Sequence, residues 1–339
     1  MKKFILTVII CLFLLPYVSF AESGFKINSA TLTPGYDIGL SLKNAKKLGI
    51  DTINLSVKID IDSIKSSKAK ISSEEKENLK NSLRRISNKR YRIFIELFPW
   101  INDGENVETE YNPSNKRVFF RTWAKCIYEV LEICKDYEIE GLLIENNFIS
   151  LYQYERNWTK IINNVREKTN AKIGFKINWW YNADWDPESY EYYRSLFNLS
   201  YLRKVDFISI PAYFELADQP TDNVDQLVEA WKSSKRYDRK QPIYEQIKRL
   251  SEHYDKKIFF GEVGYTKYRG TTVEPWNYSL NSKIDRKEQA AAFEAFFQTF
   301  KDSEFVLGYS LFQIGVYDSR YYFMDSGDVK NTIKYYIKQ

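Results

Sequence analysis

The chain has 339 residues, with 50 Lys and Arg against 45 Asp and Glu, one histidine and 17% aromatic residues. Its formal charge of +5 falls to about +3 without Lys2 and Lys3, and its basic residues are dispersed through helical patterns such as 80–92, which argues against a nucleic-acid-binding protein. The only histidine, His253, lies in a Lys- and Glu-rich helix end. This argues against a histidine-based triad and a histidine-rich metal site, so the chemistry, if any, has to run on carboxylates.

Residues 1–21 read as a secretory signal. Lys2 and Lys3 form the basic start, Phe4 to Leu15 the apolar core, and Ser19-Phe20-Ala21 the cleavage site before Glu22. The apolar run is too short to span a bilayer. Cys11 follows Ile10 rather than a small residue, which argues against a lipid anchor. The expectation is an exported protein, periplasmic or extracellular, without a transmembrane segment, whose mature part is one domain over residues 22–339.

From there, strand-like runs alternate with helical patterns to the end of the chain. Strands are predicted near 25–30, 52–59, 92–98, 141–146, 172–178, 207–211, 257–262 and 305–313. Helices are predicted near 37–48, 73–88, 119–137, 152–168, 187–202, 223–253 (broken between Tyr237 and Pro242), 286–300 and 329–337. Ser72 with Glu75 forms a capping-box pattern ahead of the second helix. Eight βα units imply a parallel sheet, and the count is that of a (β/α)8 TIM barrel, a fold within reach of this chain length. No Gly-rich phosphate loop follows the first strand, so an open nucleotide-binding sheet has little support. Two longer excursions, 101–116 and 265–283, follow strand carboxyl ends and would wall the functional face.

Cys126 and Cys134 are eight residues apart on one predicted helix. That separates them by about 12 Å at helical rise, beyond disulfide reach, so both are assigned to packing.

The stretch 259–276, FFGEVGYTKYRGTTVEPW, carries the functional signal. Glu262 ends an apolar strand, where a charge is expensive unless the site uses it, at the barrel end where catalytic groups sit. Retaining glycosidases need two carboxylates, one to attack the anomeric carbon and one to protonate the leaving oxygen. Glu262 fits the nucleophile on the seventh strand. The fourth strand, GLLIENNF, offers Glu145 and Asn147 for the second role. Strict alternation puts Leu143, Glu145 and Asn147 on one side, with Asn147 at the mouth, where an amide cannot transfer the proton, and Glu145 one step deeper. There it either serves as the acid where the strand end bulges or stands as a barrel-interior carboxylate held by a neighbouring Lys, Tyr or Asn. Flat faces and amides for sugar rings and hydroxyls are offered by Trp100, Asn146, Asn178, Trp180, Tyr213, Tyr265 and Trp276, all at or after strand ends. Trp123, Trp158 and Trp231 fall within helices and read as core.

These motifs resemble those of the family 113 glycoside hydrolases, clan A (β/α)8 barrels that act on β-1,4-mannan. The similarity covers about residues 36–337. VDFISIPAYFELAD resembles the family's sixth-strand segment and KKIFFGEVGY its nucleophile strand. IDRKEQAAAFEAFF and FVLGYSLF resemble the following helix and last strand, LLIENNF the acid/base strand, and KINWW the fifth strand. The resemblance implies Glu262 as nucleophile, with Asn178 and Trp180 as substrate contacts. It also marks departures. Asn147 stands where the family has its acid/base Glu and Glu145 where Gly is usual. Pro211 replaces a common Asp, Trp100 a frequent His, and Leu311 and Phe312 the last-strand Trp. The implied function is an exported hydrolase-like protein acting on a β-linked, mannan-like polysaccharide or oligosaccharide by a retaining mechanism. The alternative is a catalytically inactive glycan-binding or polysaccharide-assembly protein on a degenerate barrel. No metal or organic cofactor is implied, and the sequence does not set the oligomeric state.

Overall fold

The computed structural model describes residues 24–33 and 37–338; the predicted signal segment and Cys11 lie outside them. Nine strands are present among the described residues: β1 (Ile27–Leu32), β2 (Thr52–Ile61), β3 (Ala69–Lys70), β4 (Arg92–Ile101), β5 (Gly141–Asn146), β6 (Lys172–Lys176), β7 (Phe207–Pro211), β8 (Lys257–Val263) and β9 (Val306–Leu311). All except β3 pair in parallel in the order β1-β9-β8-β7-β6-β5-β4-β2, and the β1–β2 pairing closes the ring. The short β3 adds one antiparallel pairing to the end of β2. The result is a closed eight-stranded parallel barrel.

The surrounding helices are α1 (Ile38–Leu48), α2 (Ser73–Ser87), α3 (Lys116–Cys134), α4 (Glu155–Arg166), α5 (Pro187–Ser195), α6 (Val224–Lys232), α7 (Ile243–Tyr254), α8 (Arg286–Phe300) and α9 (Gly327–Ile337). The long helical pattern at 223–253 divides into α6 and α7, with the break over 233–242 ending at Pro242, the N-cap of α7. Proline has no N–H to donate and disfavours helical geometry in the residue before it. The predicted helix at 187–202 stops at Ser195 and continues as 3-10 turns. The capping box is half formed. Ser72 Oγ accepts from the Glu75 N–H at 3.0 Å, but the Glu75 carboxylate accepts from the Lys58 N–H at 2.7 Å. The second half of the motif thus ties α2 to β2 instead of closing on its own N-cap.

Alternation along the strands builds two separate layers. Outward residues such as Ile53, Leu55, Val57, Ile93, Ile95, Ile208, Ile210, Ile258 and Phe260 pack on the helices in one continuous core. Each fully buried aliphatic or aromatic side chain there contributes roughly 1.5–3 kcal/mol. Trp123, Trp158 and Trp231 are fully buried in this layer, as read from their helical positions, and Cys126 and Cys134 are buried free thiols. Inside the barrel, Ile27, Phe94, Leu143, Phe207 and Phe259 form an apolar floor. Glycine makes room for it at one close approach, since a Cβ on Gly174 would lie 2.3 Å from the Phe207 ring. Above the floor the inward positions turn polar, with Ser29, Asn54, Glu96, Lys176, Ser209 and Ser310 all buried. The candidate site stands on this polar layer.

Candidate active site

Glu262 reaches the barrel mouth because β8 is irregular. With Phe259 inward, strict alternation would place Gly261 inward and Glu262 against the helices. Register shifts of β8 against both β7 and β9 break that alternation. A bulge re-aims a side chain in this way. Gly261 is required at the same place, since a Cβ there would lie 2.3 Å from Ser209 Oγ and 3.0 Å from Lys176 Cε. The Glu262 carboxylate accepts from Lys176 Nζ on Oε1 at 2.7 Å and from the Tyr213 hydroxyl on Oε2 at 3.0 Å. Its side chain keeps 15% of its surface exposed, whereas that of Lys176 has none. Glu262 is therefore ion-paired, but at the open end of the barrel rather than inside a helix–sheet layer.

Lys176 is shared with a second carboxylate. Glu96, 1% exposed, accepts from Lys176 Nζ and from Asn146 Nδ2 (2.6 Å) on Oε1, and from Asn54 Nδ2 (2.6 Å) on Oε2. Burial alone would lower the Lys176 pKa, but the charges and hydrogen bonds of Glu262 and Glu96 outweigh it and hold the group above the usual ammonium value. Burial, and then the Glu262 charge, push the Tyr213 phenol well above its ordinary value, so it donates as a neutral hydroxyl. Sequence reading missed Glu96, Lys176 and Asn54. The signal was available, because Glu96 in RIFIELF and Lys176 in KIGFKIN are charges inside apolar strands, the criterion that picked out Glu262.

The end of β5 corrects the alternation expected there. A register shift between Leu143 and Asn146 against β6 turns Asn146 inward, onto Glu96. Asn147 has φ 57°, in the left-handed region, where asparagine is tolerated better than most residues. It is 6% exposed and donates to Asn146 Oδ1 at 3.2 Å. Glu145 is fully buried, and its Oε1 accepts from the Phe148 N–H at 2.5 Å. Burial holds its carboxyl well above the ordinary range. Its charge also raises the phenols of Tyr152, Tyr192 and Tyr201 around it, after burial as the main cause. Glu145 thus does not share a surface with Asn147 and has no exposure to the cleft.

The aromatic candidates divide into two groups. Trp100 is half-buried and lines a cavity of about 450 Å³ with Lys58, Glu75, Phe98, Phe312 and Gln313, across the ends of β2, β4 and β9. Tyr213 stands 6.1 Å from Tyr321, which lies 5.3 Å from Phe312, ring to ring. Trp276 is 42% exposed and donates its indole N–H to Glu215 at 2.9 Å. Asn178 is half-buried, its backbone N–H donating to the Tyr152 hydroxyl at 2.9 Å. Trp180 and Tyr265 instead pack in the helix–sheet layer. Trp180, 2% exposed, stacks on Tyr193 and donates to Gln246. Tyr265, 1% exposed, meets Phe293 edge-on at 5.0 Å. The structure therefore gathers Glu262, Asn146 and Tyr213 at one centre with Lys176 and Glu96, leaves Trp100 and Asn178 at strand ends and Trp276 on the loop after β8, and holds Trp180, Tyr265 and Glu145 in buried packing.

A closed parallel barrel with a carboxylate at the carboxyl end of its seventh strand is the setting in which the sequence comparison becomes decisive. Residues 41–337 match Glycoside Hydrolase Family 113. The chain belongs to that family. Solved family 113 structures support the same fold. A GH113 beta-1,4-mannanase superposes with a TM-score of 0.74 at 16% identity, covering 93% of this chain and 99% of its own. The GH113 beta-mannanase from Alicyclobacillus acidocaldarius in complex with ManMIm also gives 0.74, at 15% identity over 94% and 98% of the two chains. The more distant family 1 β-glucosidase from Thermotoga maritima gives 0.57 at 12% identity, over 94% of this chain and 97% of its own. No protein of curated function is matched. Among the described residues, no helix is long and apolar enough to cross a membrane.

Proposed function

We propose that this family 113 protein is an exported retaining glycosidase acting on a β-linked, mannan-like polysaccharide, with Glu262 as the nucleophile. The observation that carries the reading is the Glu262 carboxylate itself, at the mouth of the barrel, partly open and held from two sides by Lys176 and Tyr213. Two fixed donors hold the carboxylate in one orientation, which is how an enzyme gains from positioning. The likeness to solved β-mannanases supports mannan as the first substrate to test. The aromatic cavity beside Trp100 supports a sugar-sized groove, since flat apolar faces with a few polar groups are what such ligands need.

The second reading, a glycan-binding protein without turnover, is favoured by the amide of Asn147 in the family's acid/base position and by Leu311 and Phe312 at the end of β9. The test is hydrolysis of mannans, glucans and activated aryl glycosides by the mature protein and by Glu262→Gln. Release that depends on Glu262 is expected. Retention by polysaccharide in affinity electrophoresis, with no Glu262-dependent release even from activated glycosides, would establish the binding reading instead. N-terminal sequencing of the protein recovered outside the cell, starting at Glu22, checks export.

A further inference from the structure

We propose that the seam between α1 and α2 is a docking surface for an anionic phospholipid bilayer. The inference does not depend on the glycosidase reading. A cleft of about 990 Å³ runs along this seam, lined by the exposed cations Lys43, Lys46, Arg85, Lys89 and Arg90. Its floor is the buried pair Leu42 and Ile50 with the half-buried Tyr91, whose hydroxyl donates to the Leu42 carbonyl at 3.3 Å and ties the two segments together.

The charge on this seam is segregated. Residues 38–50 hold three Lys and no acid, and residues 78–92 hold six Lys and Arg and no acid. Basic residues that read as dispersed along one helix are thus brought beside those of another. Among the described residues, none of the five cations lining the cleft makes an ion pair. Asp51, the one acid in the lining, is paired with Arg92 at 2.6 Å. Asp37 lies beside Arg85 at Gly39, but its carboxylate is engaged as the N-cap of α1, accepting from the Leu40 N–H at 2.9 Å.

Complementing the helix dipole accounts for part of this charge, since cations stabilise the last turn of a helix. That covers Lys46 in α1 and Arg85 in α2, but not Lys43, Lys89 or Arg90, which lie outside those turns. Elsewhere the last-turn cation is also matched by an acid. Arg166 of α4 pairs with Asp206 at 2.5 Å, Arg194 of α5 with Glu191 at 2.6 Å and Lys232 of α6 with Glu229 at 3.3 Å. The α1–α2 seam is left unneutralised by comparison.

Two observations select a bilayer as the occupant. The cations are exposed and spread over two helix ends instead of converging on one point, which suits an array of phosphates better than a single anion. The chain also enters the barrel at this end. Lys46, Lys89 and Arg90 lie just before β2 and β4 begin, at Thr52 and Arg92, and Arg92 donates to the carbonyl of Lys26, next to the start of β1, at 2.9 Å. The segment assigned to export precedes β1, so a signal held by the bilayer delivers this face to it. The barrel strands are parallel, so the Glu262 mouth, at their carboxyl ends, stays free.

The experiment sediments the mature protein with vesicles of phosphatidylglycerol and phosphatidylcholine in equal parts, and with vesicles of phosphatidylcholine alone. Wild type is expected on the mixed vesicles only. It should be released as salt rises toward about 1 M, where the screening length falls to about 3 Å. Combining Lys43→Gln, Lys46→Gln and Lys89→Gln should weaken binding about 10²-fold, at roughly five-fold per charge, with the thermal melt preserved. Combining Arg121→Gln, Arg156→Gln and Lys160→Gln removes the same charge from exposed positions on α3 and α4 and should leave binding as in wild type, as should Glu262→Gln. Equal loss in both triple variants would reduce the effect to net charge and overturn the proposal. Binding to phosphatidylcholine alone, or to neither vesicle, would do the same. Retention of wild type by alginate in affinity electrophoresis, abolished by the Lys43, Lys46 and Lys89 changes while vesicles are ignored, would give the cleft to a soluble polyanion and equally overturn it.

Discussion

Replacing Lys176 by Met gives the sharpest physical test of the centre. The ammonium is fully buried and lies between the buried carboxylate of Glu96 and that of Glu262, whose side chain is 15% exposed. Methionine retains most of the stem, so packing against Gly261 and Ser209 is largely kept while the charge disappears. Two carboxylates then face each other across the barrel with no cation between them. Removing one partner of a buried ion pair costs about 3–5 kcal/mol, because an uncompensated charge is left in a medium that solvates it poorly. For a domain of this size that loss corresponds to roughly 5–8 °C in Tm. The assay is urea unfolding with thermal melts, run on Lys176→Met, on Glu96→Gln and on the double variant. The double variant carries one charge fewer in the same space and should recover at least about 1 kcal/mol of the loss, as expected of directly coupled residues. A single variant within about 1 kcal/mol of wild type, or a double variant no better than additive, would refute the view that one ammonium neutralises both acids.

Two further outcomes follow from the geometry. Gly261→Ala should destabilise by about 1–3 kcal/mol through overpacking, because its Cβ would collide with Ser209 Oγ. Adding Ser209→Gly should relieve part of the loss in the same unfolding assay. Glu75, pushed up to about 7 chiefly by burial, gives a stability that changes with pH. An acid whose pKa is raised from 4.5 holds its proton more tightly folded than unfolded, so its contribution is complete below about pH 4.5 and is lost as pH rises through 7. The drop over that window is on the order of 3 kcal/mol. Glu75→Gln should flatten that part of the stability–pH curve, and an unchanged slope would sink the assignment.

Periodicity alone was enough to place the barrel strands and to divide the helices, including the break before Pro242, because apolar spacing is a local property of the chain. It also marked Glu262, a charge ending an apolar run. It missed Lys176 and Glu96 because their meaning depends on which strands face each other across a closed ring. It misplaced Glu145 because an alternation rule assumes a regular ladder. The register shifts in β5 and β8 belong to their pairing with neighbouring strands and leave no trace in either strand's own pattern.

The amino-acid order by itself determined that eight βα units would close into a barrel, and that a charged residue, Glu262, would end its seventh strand. Only the tertiary structure decided which way that carboxylate points, which cation it shares with Glu96, and which hydroxyl holds its second oxygen. Hydrophobic patterning is written residue by residue, whereas bulges and charge pairing arise from contacts such as Lys176 with Glu262, 86 positions apart in the chain.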